Sequence, residues 1–215
     1  MRMGLVAAVA GVLVLVSSAG ADVVLNFGTT GGMGFSLSTG AVLSFNSTDI
    51  QGTDPGLMGY LYEIGPLTIN TGSRTVPFTG LEVYTVTPAT VTFQIWNPAG
   101  TVEYISGTLH TNNISIFGGV TSVFDGTDNP LNLTGVTLLN AGSAPATLIA
   151  FSQDAIADGG AAVTVTLPFN LDPNLHTTHT AKSGDLAGVV DAAPEPATLA
   201  LTGFGLMALF VRRKK

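Results

Sequence analysis

A strict two-residue alternation in the middle of this chain limits what it can fold into. Leu81, Val83 and Thr85 fall on one side of an extended backbone, and Glu82, Tyr84 and Val86 on the other. Val91, Phe93 and Ile95 then alternate with Thr92, Gln94 and Trp96. Successive side chains of a strand point to opposite faces, so the pattern suits half-buried β-strands. Asn97-Pro98-Ala99-Gly100 supplies turn chemistry, and residues 102–105 begin the return strand of a hairpin.

Shorter apolar segments recur around this hairpin. Residues 23–27, 35–38, 42–45, 114–117, 136–139, 147–151 and 162–169 each read as a strand bounded by Gly, Pro, Asn or Asp. Residues 46–59 read as a polar loop. No amphipathic helix stands out, and no fixed-period repeat suggests a solenoid or propeller. The expectation is all-β: a single antiparallel β-sandwich or jelly-roll-like domain over residues 22–173. Residues 174–193 lose sustained alternation and read as a stalk, to which 186–190 adds at most an edge strand.

Both ends of the chain concern export. Arg2 is a short basic head, and residues 5–16 are an apolar run of twelve. Small residues follow, with Ala19 and Ala21 at the two positions a signal peptidase reads. Residues 1–21 therefore form a cleavable signal peptide, cut before Asp22. At the other end, Pro194-Glu195-Pro196 precedes fifteen uncharged residues, 197–211, and the chain closes on Arg212, Arg213, Lys214 and Lys215. As a helix the apolar run is about 22 Å long, short for a bilayer core of about 30 Å. Snorkelling Arg and Lys side chains recover part of the gap and hold that end in the cytoplasm. The two prolines bias the backbone before them toward extended chain that a protease can enter.

The order Pro194-Glu195-Pro196, apolar helix 197–211 and basic terminus closely resembles the PEP-CTERM sorting signal of bacterial surface proteins, here residues 194–215. A tail of this kind is also described as an ice-binding-protein C-terminal domain. The resemblance implies recognition by an exosortase, a membrane-embedded cysteine transpeptidase that cuts near the PEP motif. It also implies a membrane-anchored precursor whose mature domain ends at the cell surface, outer membrane or extracellular matrix. Association with exopolysaccharide is a further implication. Thr202 and Phe204 depart from the more usual Leu and Gly of such helices.

Between the ends lie about 170 residues, enough for one domain with a core. They carry thirteen acids against only Arg74 and Lys182, a balance of −11. Such a surface excludes nucleic acid as a partner, because phosphate binding requires clustered Lys and Arg. The chain has no cysteine, hence no disulfide and no thiol chemistry.

The candidate sites are sparse. Asp125, Thr127 and Asn129 place oxygen ligands at alternate positions, as a calcium loop requires, but Val136 stands where an EF-hand would carry its acidic twelfth residue. A turn rich in turn formers is the simpler reading. Asp49 with Asp54, and Asp154 with Asp158, are weaker pairs of the same kind. His176 and His179 form an HxxH spacing with nothing to hold it, and His110 is the one other histidine. Neither a G-x-S-x-G motif nor a phosphate-binding glycine loop occurs, and no enzyme activity or cofactor is expected. Asn46, Asn113 and Asn132 open N-x-S/T triplets. Thr85/Thr87, Thr90/Thr92 and Thr164/Thr166 put hydroxyls in pairs on single strand faces. The leading expectation is an exported structural or adhesive protein. A carbohydrate- or calcium-binding module comes second, and an ice-binding surface or polysaccharide-acting enzyme third.

Overall fold

A computed structural model describes residues 23–30, 33–111, 113–117, 120–123, 131–167 and 182–192. The first half contributes β1 (Val24–Thr29), β2 (Phe35–Leu37), β3 (Val42–Phe45), β4 (Ile50–Gly52), β5 (Leu61–Ile64), β6 (Leu67–Ile69), β7 (Thr75–Phe78), β8 (Leu81–Thr87) and β9 (Thr90–Trp96). The second half contributes β10 (Glu103–His110), β11 (Asn113–Phe117), β12 (Val120–Val123), β13 (Leu133–Leu138), helix α1 (Ala146–Ala157), β14 (Ala162–Leu167), β15 (Lys182–Gly184) and β16 (Ala187–Asp191).

All pairings between these strands are antiparallel, as the alternation predicts, and they form two sheets. The larger runs β13-β10-β9-β5-β4-β1-β16-β14-β12-β11-β8, with β7 also on β8. The smaller runs β6-β3-β2-β15 and joins through β8, whose last residues pair with β6. The larger sheet curls until its two parts meet. Leu133 bridges Ala161, and the buried Asn132 side chain takes the place of a strand: its Nδ2 donates to the Val163 carbonyl (2.9 Å) and its Oδ1 accepts from the Val163 N–H (2.7 Å).

Inward positions of each strand fill one core. Leu25, Tyr62, Phe93, Ile95, Ile105, Leu109, Val163, Val165 and Val190 are fully buried in it. The Phe27 and Tyr62 rings stack at 4.7 Å, and Phe93 meets Tyr62 edge-on at 6.2 Å. Phe27 has room because Gly188 lies opposite it on β16. A Cβ on Gly188 would come within 2.1 Å of Phe27 Cζ, so this strand glycine marks a close approach.

Three sequence expectations change. Residues 147–151 are helical, within α1. Leu148, Phe151, Ser152 and Ala155 recur at helical spacing and are the buried face of α1. Pro145 precedes the first turn, and Gly159 with φ +79 ends the element. The polar segment 46–59 contains β4. The expected stalk 174–193 contains β15 and β16, and β16 is no edge: it lies between β1 and β14. Its alternation is real, with Leu186, Gly188 and Val190 inward, but a glycine holds the central inward position. The expected membrane helix 197–211 and the signal peptide lie outside the described residues. Among the described residues no helix is long and apolar enough to cross a membrane.

Candidate functional site: the paired chain ends

Each of the two expected processing points adjoins a described strand. Val23 follows Asp22 directly, and Ala192 stands two residues before Pro194. The β1–β16 register pairs Val24 with Asp191, and the Ala192 N–H donates to the Val23 carbonyl at 3.4 Å. The chain therefore enters and leaves the domain side by side, at one pole of the large sheet. Ala192 itself is buried.

The pole is pinned from several sides. Asp54 accepts from the Asn26 backbone N–H (2.5 Å) and from Asn26 Nδ2 (2.9 Å), tying the loop after β4 to the start of β1. At the far end of the pair, the Leu186 N–H donates to Thr29 Oγ1 at 2.9 Å. Asp191 pairs with Val24 on one side and Ala162 on the other. Separating the last strand would break hydrogen bonds to both neighbours.

Other candidates are dispersed. Ala19, Ala21 and Asp22, the calcium-type residues Asp125, Thr127 and Asn129, the pair His176 and His179, and the tail residues Pro194, Glu195, Pro196, Arg212, Arg213, Lys214 and Lys215 lie outside the described residues. Asp49 and Asp54 have separate partners, Asn46 Nδ2 (2.6 Å) and Asn26. Asp154 and Asp158 sit a turn apart, where the Asp158 N–H donates to the Asp154 carbonyl at the end of α1. His110 Nε2 meets Thr134 Oγ1 at 2.8 Å. Among the described residues no three His, Asp or Glu side chains converge as metal ligands.

The described glutamates, Glu63, Glu82 and Glu103, are spread over three strands. Glu82 takes Arg74 Nη2 at 2.5 Å and the Tyr84 hydroxyl at 2.7 Å. Burial, then the bond to Glu82, raise the Tyr84 phenol above its ordinary range. Glu103 accepts from Gln94 Nε2 at 2.7 Å. Of the N-x-S/T triplets, Asn132 is consumed by its bonds to Val163, Asn113 lies within β11, and Asn46 is exposed on a loop. The threonine pairs do face outward, and Thr92 lies in register with Thr108 on β10 and, across it, Thr134 on β13, whereas Thr90 faces His110. Single-strand spacing gave no sign of those neighbours, because they depend on register.

Neither the curated proteins nor the solved structures contain a match to this chain. Residues 192–215 match the family model of the PEP-CTERM protein-sorting motif, so a sorting signal of that family begins where β16 ends.

Proposed function

We propose that this chain is a non-enzymatic component of the cell surface or extracellular matrix, with a structural or adhesive role and contact with exopolysaccharide. The sorting motif at residues 192–215 supports an exported, surface-directed protein processed by an exosortase. The placement of that motif carries the finer reading. In this reading signal peptidase and exosortase act just outside the neighbouring strands β1 and β16, and the end of the domain where Val23 meets Ala192 faces the membrane while the precursor is anchored through 197–211. Removing both ends leaves an antiparallel β domain that keeps all sixteen strands of the described residues.

Two variants test the processing. Glu195→Ala, and deletion of residues 212–215, should each leave a precursor in the membrane fraction. Intact-mass analysis of wild-type extracellular material should show an N-terminus at Asp22 and a C-terminus near Pro194. Normal maturation of both variants would refute exosortase processing.

A further inference from the structure

The strands β5, β9, β10 and β13 lie side by side, with Ile64, Phe93, Ile105 and Leu109 buried on the inner face. On the outer face the register places Thr92, Thr108 and Thr134 in one cross-strand row. Gln94, Ser106 and Thr137 form the next row, although β13 shifts register between them. Neighbouring strands are about 4.8 Å apart, so hydroxyl and amide groups repeat at that interval across the sheet. Thr92 and Thr108 are exposed and Ser106 is partly so. Among the described residues none of these three hydroxyls has a hydrogen-bond partner. Each hydroxyl can both donate and accept.

The chemistry of the face selects its partner. No Lys or Arg stands in these rows. The nearest charges are Glu63, paired with Gln94 in register, and Glu103, held by Gln94. The domain around it has a balance of −11. An anionic polymer would meet repulsion with no compensating cation. A neutral polymer rich in hydroxyls meets matched donors and acceptors at no electrostatic cost. Trp96 follows Gln94 on the same side of β9 and adds a half-buried indole beyond the polar rows. An ordered water lattice would need an unbroken threonine array, and Gln94, His110 and the β13 register shift interrupt one.

We propose that the outer face of β9, β10 and β13 is a docking surface for a neutral polysaccharide, centred on Thr92, Ser106 and Thr108. The proposal deepens the surface-matrix reading above and depends on it only for where the polymer is met. The two fail separately: export and processing are read by localisation and mass, polymer binding by mobility of the purified protein.

The test is native affinity electrophoresis of the full chain in detergent, in gels cast with dextran, hydroxyethyl cellulose or alginate. Retardation by at least one neutral polymer and none by alginate is expected. Thr92→Val with Thr108→Val and Ser106→Ala keeps shape and strand propensity but removes three hydroxyls, and should weaken retardation at least tenfold. Thr92→Ser with Thr108→Ser keeps the hydroxyls and should retain binding, as should Thr164→Val on β14. The proposal falls if neither neutral polymer retards the chain, if only alginate does, or if the hydroxyl-free variant binds as well as wild type. Inhibition of ice recrystallisation without polymer binding would also overturn it.

Discussion

Gly188→Ala tests the packing at the centre of the sheet. The new methyl would sit 2.1, 2.4 and 2.8 Å from three atoms of the Phe27 ring. A ring at the surface could swing away. Phe27 is only 2% exposed and is stacked on Tyr62, so it has nowhere to go without disturbing the core. Overpacking of this kind costs about 1–3 kcal/mol, and loss of the ring stack adds about 0.5–1.5 kcal/mol. Gly188 is not in a left-handed conformation, so alanine recovers about 0.4–1 kcal/mol by restricting the unfolded chain. The clash prevails, and a net loss of about 2 kcal/mol follows. Urea unfolding followed by tryptophan fluorescence should show a midpoint lower by about 1 M, taking a slope of about 2 kcal/mol per molar. Phe27→Leu removes the obstructing ring atoms, so Gly188→Ala should cost less than half as much in that background. Equal costs in both backgrounds, or a change below about 0.5 kcal/mol in the wild type, would show that the Phe27–Gly188 contact does not limit this position.

Three further outcomes follow from groups already described. Asn132→Leu should cost about 2–4 kcal/mol, since it strips both main-chain groups of Val163 of their partner in a buried seam; a loss below 1 kcal/mol in chemical denaturation would mean the seam is not held there. Tyr62→Phe removes a buried hydroxyl that has no hydrogen-bond partner among the described residues, so stability should be unchanged or higher by up to about 1 kcal/mol; a clear loss would reveal a partner such as a buried water. Burial raises both the Tyr62 and Tyr84 phenols above their ordinary range. Their contribution is therefore complete below the unfolded value near 10 and declines as pH rises through the folded values, by up to about 1.4 kcal/mol per pH unit for each. Tyr84→Phe should flatten that alkaline decline, and identical pH profiles for variant and wild type would contradict it.

The elements legible in the sequence were those whose signal is local. The β9–β10 hairpin announces itself through Val91, Phe93 and Ile95 and the Asn97–Gly100 turn. The sorting motif is read in linear order and needs no fold at all. Helix α1 was obscured because Thr147, Leu148, Ile149 and Phe151 have the apolar look of a short strand, while the helical spacing emerges only on reaching Ser152 and Ala155. β16 was hidden by Gly188, whose absent side chain is explained only by Phe27, more than 150 residues earlier. The hydroxyl rows were invisible for a related reason. Thr92, Thr108 and Thr134 become neighbours only through the β9–β10 and β10–β13 registers, which no single segment encodes.

The position of β16 also bears on the timing of export. β1 is the first described strand to emerge and β16 the last, yet each is the other's neighbour in the middle of the large sheet. Contacts this distant in sequence form slowly, because a long loop must close before they contribute. During passage across the membrane the sheet lacks its central strand until residue 191 is outside. Residue 191 directly precedes the sorting motif at residues 192–215. Completion of the fold and delivery of the sorting signal therefore depend on the same final stretch of chain, the strand at 187–191 and the motif that follows it.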